Sequence, residues 1–62
     1  MDDELWTVDD LADFLKIPKA TIYNWSYLRV GPQPMKVGRR LRWWRSEVIA
    51  WVNEQRVPPW PG

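Results

Sequence analysis

The 62-residue chain sets nine Lys and Arg against eight Asp and Glu for a formal charge of only +1; 45% of its residues are hydrophobic, and six are tryptophan. That length allows one domain at most, with a single small core whose stability is marginal unless it is densely packed, and the tryptophans supply that density. The absence of cysteine and histidine excludes disulfides and thiolate metal sites and removes the usual general base and the commonest zinc ligand, so no catalytic site, metal or cofactor is expected.

No apolar run approaches the roughly 18 residues of a membrane span, and the acidic start does not resemble a signal peptide. A soluble cytoplasmic protein without membrane contact is therefore expected. The small net charge hides a strong segregation. Residues 1 to 13 carry six acids and no base, whereas residues 14 to 45 carry eight bases and no acid. A field divided in this way attracts a polyanion to one side and keeps the other side off it.

The leader MDDELWT is expected to fray up to Leu5, with Trp6 covering the core. From Val8 the spacing of Leu11, Phe14 and Leu15 gathers apolar side chains on one stripe of a helix. Asp9, Asp10 and Asp13 fill its other side, and Thr7 with Asp10 forms a capping box. Lys16-Ile17-Pro18 ends this helix, because a residue before proline is pushed out of the α region while proline suits a helix start. A second helix then begins near Pro18. Ile17 and Ile22 pack as a hydrophobic staple, and Trp25 falls on the same side as Ile22. At about 100° per residue, Ala20, Tyr23, Asn24 and Tyr27 point away from that side, flanked by Lys19.

Residues 29 to 34, RVGPQP, forbid further helix and read as a loop. The next stretch, PMKVGRRLRWWR, predicts a hairpin with Gly38-Arg39 at its tip. Met35, Val37, Leu41 and Trp43 are expected on one face, and Lys36, Arg40 and Arg42 on the other, with Arg39 at the tip. Edge protection needs one or two charges; four clustered cations point to phosphate or minor-groove contact. Ser46 caps a third helix running to about Gln55, with Val48, Trp51 and Val52 closing the core and Ile49 at the margin. The terminal RVPPWPG cannot be helical; Trp60 either packs back on the domain or is offered to a partner.

Ala12, Ile22 and Trp25 are spaced as in the helix-turn-helix family, where a small residue in the first helix admits the second, although Lys16 stands where that family often has glycine. WTVDDLADFLKIPKATIYNW, followed by KVGRRLR and then SEVIAWV, resembles the small winged-helix family of phage and plasmid excisionases and the related MerR-type DNA-binding domains. The likeness covers residues 6 to 53. It implies a mainly α fold with a small β-hairpin, a winged helix-turn-helix with the wing between the second and third helices. Residues 1–62 are then one such domain, with a core over 6–55 and a proline-rich tail over 56–62.

The resemblance also implies double-stranded DNA as the partner. Lys19, Ala20, Thr21, Tyr23, Asn24 and Tyr27 form the recognition-helix set, and Lys36, Arg39, Arg40 and Arg42 the wing set. Within the family, excisionases, or recombination directionality factors, bind side by side at repeated sites, bend the DNA and contact an integrase. Full MerR-type regulators add a long dimerising helix after the domain, and no such helix follows here. The first expectation is thus an excisionase in a bacterial cytoplasm, nucleoid-associated when bound, with self-association on DNA and an integrase or other recombinase as partner. A small MerR-like transcriptional regulator is the alternative, and a protein-interaction module built on Tyr23, Tyr27 and Trp60 is the third reading. An enzyme is not expected.

Overall fold

The structure is a computed structural model that describes residues 3–56. In chain order it comprises β1 (Leu5–Trp6), α1 (Val8–Leu15), α2 (Lys19–Leu28), β2 (Met35–Val37), β3 (Arg40–Trp44) and α3 (Arg45–Glu54). The strands form an antiparallel sheet in the order β1-β3-β2. Three helices with a hairpin between the second and the third make a winged helix-turn-helix fold. The tail reading, with Trp60, lies outside the described residues.

The start of α1 follows from its cap. The Asp10 amide donates to Thr7 Oγ1 at 3.2 Å, and the Thr7 amide donates to Asp10 Oδ2 at 3.0 Å, so the pair satisfies two helix-terminal donors reciprocally. At the other end Lys16 turns left-handed, φ 61°, and the Ile17 amide reaches back to the Ala12 carbonyl. That is the Schellman way of ending a helix, here without the usual glycine. Pro18, extended, then stands as the N-cap of α2. The end of α2 repeats the device: Arg29 has φ 60°, and the Val30 amide donates to the Trp25 carbonyl at 2.9 Å.

Among the described residues four side chains are fully buried, Leu11, Ile22, Trp43 and Val48, one each from α1, α2, β3 and α3. Trp6, Val8, Ala12, Leu15, Ile17, Leu41 and Val52 pack around them. Trp43 also donates its indole N–H to the Pro32 carbonyl at 3.0 Å, which ties the loop after α2 to the wing. Gly31 in that loop has φ 76°, and an added Cβ there would lie 2.5 Å from the Trp25 ring, so the glycine admits the indole. Trp25 in turn packs against Trp51 of α3, with ring centroids 5.6 Å apart.

Four expectations need correction. The leader is not frayed up to Leu5: Leu5 pairs with Trp44 and Trp6 with Trp43, making a third strand. Ser46 does not cap α3, whose N-cap is Trp44. The carboxylate of Asp3 does that work from 43 positions away, accepting the Ser46 amide at 3.0 Å and the Ser46 hydroxyl at 2.5 Å. β1 delivers Asp3 there by pairing with the strand that runs into α3, and the Arg45 amide meets the Glu4 carbonyl at 2.9 Å.

Phe14 is 45% exposed rather than part of the buried stripe; it leans on Trp6, with ring centroids 4.9 Å apart. The wing faces are also dealt differently. Met35 opposes Arg42, Lys36 opposes Leu41 and Val37 opposes Arg40, and directly opposed residues share a face. Across a two-residue turn an odd-numbered residue must face an even-numbered one. Met35 and Val37 therefore lie with Arg40 and Arg42, and Lys36 lies with Leu41 and Trp43.

Candidate nucleic-acid interface

On α2, burial of Ile22 against the core fixes the rotation of the helix. Ala20, Tyr23, Asn24 and Tyr27 consequently face out, as their spacing predicts, and Tyr23 and Tyr27 are 53% and 86% exposed. Thr21 is half-buried on the flank, so the structure separates it from the other five members of the recognition-helix set. Pro18 offers no side-chain cap, which leaves backbone N–H groups of the first turn of α2 open to an outside acceptor.

On the wing, Gly38 supplies a positive φ of 64° at the first loop position, and Arg39 follows it at the exposed tip. Arg40 is exposed. Arg42 is half-buried and donates from a guanidinium nitrogen to the Leu41 carbonyl at 2.7 Å, which holds its head group against the strand.

These two surfaces meet. A cleft of about 430 Å³ between α2 and the wing is lined by Lys19 and Tyr23 of α2, by Arg39, Arg40, Leu41 and Arg42 of the wing, and by Thr7, Val8 and Asp9 at the start of α1. Lys36 is exposed but does not line the cleft. The wing set thus divides into three arginines at the cleft and one lysine away from it.

The charges in this cleft are largely uncompensated. Among the described residues the one ion pair joins Lys19 Nζ to Asp9 Oδ1 at 2.9 Å. The hydrogen bond to Asp9, and then its charge, hold Lys19 above its ordinary pKa. No carboxylate lies within ion-pair distance of Arg39, Arg40 or Arg42 among the described residues. Asp9 is the member of the site that local sequence reasoning misses. It reads as one acid on the solvated side of α1, and only the angle between α1 and α2 brings it to Lys19.

Among the described residues no helix is long and apolar enough to cross a membrane. No curated protein and no solved structure is significantly similar to the chain. A family model for the helix-turn-helix domain matches residues 7–56, from the cap of α1 to just past the end of α3. With the exposed α2 face and the arginine wing beside it, this match places the chain in the helix-turn-helix domain family, as a DNA-binding protein.

Proposed function

We infer that the chain docks α2 in the major groove of double-stranded DNA and sets the β2–β3 wing against the adjoining backbone or minor groove. One observation carries this reading: Lys19 and Tyr23 of α2 border the same cleft as three arginines that have no carboxylate partner among the described residues. Asn24 is the base reader, because its amide can pair with both N7 and N6 of adenine. Lys19, Tyr23 and the open N–H groups of the first turn hold phosphate, together with Arg39, Arg40 and Arg42. Ala20 permits close approach, and Tyr27 extends the contact along the groove. Lys36 and Thr21 play lesser parts, since neither stands at the centre of the surface.

Phosphate contacts outnumber base contacts in this arrangement. They supply affinity and register but no sequence information, so a single copy binds weakly and with little discrimination. That economy suits a factor acting as several copies side by side. The resemblance to excisionases therefore leads us to the role of a recombination directionality factor that binds and bends attachment-site DNA with an integrase. Leu28 and Val30, both exposed at or just past the C-terminal end of α2, offer an apolar patch for a neighbouring copy or the integrase. A small MerR-like regulator would use the same DNA surface. Footprints over attachment-site arms, and stimulation of excision when the integrase is added, support the first role; footprints confined to a promoter support the second.

The DNA surface itself is tested by duplex titration over a series of salt concentrations. Replacing Arg39 and Arg40 together by alanine is expected to weaken binding to all sequences alike and to flatten the salt slope by about 0.9 for each lost phosphate contact. Asn24→Ala is expected to cost about 1–3 kcal/mol at the preferred site and little on random DNA. An unchanged slope removes the wing from the interface, and an equal loss on both duplexes removes Asn24 as a reader.

A further inference from the structure

The cleft between α2 and the wing holds four cationic side chains and one acid, and the acid is the anomaly. If α2 enters the major groove and the wing approaches the minor groove, the phosphodiester ridge dividing those grooves must cross this cleft. Lys19, Arg39, Arg40 and Arg42 all suit such an occupant. Asp9 does not, because an ionised carboxylate has no proton to donate to a phosphate and repels its charge. Asp9 nevertheless lines the cleft and sits 2.9 Å from the Lys19 ammonium, with both side chains more than half exposed.

We propose that Asp9 limits DNA affinity from within the phosphate seat: it competes with the backbone for the Lys19 ammonium and so weakens the phosphate contact Lys19 makes, and it sets one negative charge against the ridge. The proposal rests on the DNA-binding reading above. An acid in a first helical turn also suits the α1 dipole, but Asp10 already fills that place through the capping box. The dipole therefore does not require a second carboxylate at the cleft. The raised Lys19 pKa, caused first by the hydrogen bond Lys19 donates to Asp9, agrees with an ammonium already engaged.

Because the limit acts on the backbone, it lowers affinity for every sequence equally. Its effect is to increase the share of the binding energy that base contacts must supply. Loss of the carboxylate should then have an opposite sign to loss of the wing arginines.

The test compares wild type, Asp9→Asn, Asp9→Glu and Asp13→Asn by fluorescence anisotropy, on short duplexes of random and preferred sequence, over a series of potassium chloride concentrations. Asp13 is an exposed α1 acid that does not line the cleft, so its replacement changes net charge by the same amount at a neutral place. Thermal melts followed by circular dichroism establish that each variant is folded.

The expected result is that Asp9→Asn binds both duplexes about three- to tenfold more tightly at low salt, with a slope steeper by up to about 0.9 as the Lys19 phosphate contact becomes complete. Asp9→Glu should stay near wild type, and Asp13→Asn should show little of the gain. Equal gains for Asp9→Asn and Asp13→Asn would overturn the proposal, as would weaker binding by folded Asp9→Asn, which would make Asp9 a positioning residue for Lys19. If Asp9→Asn leaves binding unmoved while Arg39→Ala/Arg40→Ala still flattens the slope, the proposal fails alone. If wild type shows no salt-dependent binding at all, the DNA-face reading fails and takes the proposal with it.

Discussion

Two side chains hold backbone conformations that ordinarily belong to glycine. Lys16 and Arg29 have φ near +60° one residue past α1 and α2, where a Cβ crowds the following carbonyl. Each is held there by the amide after it, which closes back on the preceding helix, Ile17 on Ala12 and Val30 on Trp25. Lys16→Gly is expected to raise stability by about 0.5–1 kcal/mol, since relief of the Cβ contact outweighs the added freedom of the unfolded chain. Urea unfolding checks this as a higher midpoint at unchanged slope. The Lys16 turn was legible because Pro18 two residues on fixes where α1 must stop. The end of α2 at Leu28 was legible as well, because RVGPQP forbids further helix; the left-handed turn at Arg29 was not, since the glycine of that loop, Gly31, stands two residues further on. Asn24, Ala20, Tyr23 and Tyr27 were readable as an outward face because Ile22 and Trp25 fix the rotation of α2; Thr21 sits close enough to the Trp25 side to be half-buried.

The elements that sequence periodicity locates well are those whose partners are local. α1, α2 and the hairpin fall where their spacing puts them, whereas β1 and the cap of α3 depend on partners far along the chain, Trp43 and Trp44 for β1 and a residue 43 positions away for the cap, and leave no local trace. The dealing of wing residues to faces depends on counting loop residues: with Gly38 and Arg39 alone in the turn, Val37 opposes Arg40, and the alternation on one strand must be offset against the other. The β1–α3 connection makes a pH prediction. Hydrogen bonds from the Ser46 side chain and then its backbone hold the Asp3 carboxyl below its ordinary value of 3.8. A depressed folded pKa stabilises above the unfolded value and loses that contribution as pH falls through the folded one. Asp3→Ala should therefore lower the melting temperature by a few degrees near neutral pH. The gap to wild type should narrow below pH 3.8, as melts across pH 2 to 7 would record. A gap that stays constant over that range would mean the carboxylate charge plays no part in capping α3.

At the scale of the molecule, one buried side chain from each of α1, α2, β3 and α3 converges at a single point, and the DNA surface lies on the outside of two of those elements. Trp43 is the keystone of this arrangement, filling the centre while its indole N–H fixes the Pro32 carbonyl. Trp43→Ala is expected to cost about 3–5 kcal/mol, comparable to all the stability a core this small supplies. Loss of cooperative unfolding by circular dichroism would register it. The sequence showed that six tryptophans must provide the core, yet which of them does so was settled by tertiary pairing: Trp43 is buried, while Trp6, Trp25, Trp44 and Trp51 are half-buried. The same pairing sets α2 and the wing on either side of one cleft, and the account depends on their acting together on one duplex. Titration of isotope-labelled protein with double-stranded DNA, followed by amide chemical shifts, tests that most directly. The account predicts shifts concentrated at Lys19–Tyr27 and Arg39–Arg42 that move together along one binding curve, with Val48–Glu54 of α3 unmoved. Shifts confined to α3 or to Asp3–Trp6, with the recognition helix and wing silent, would contradict it.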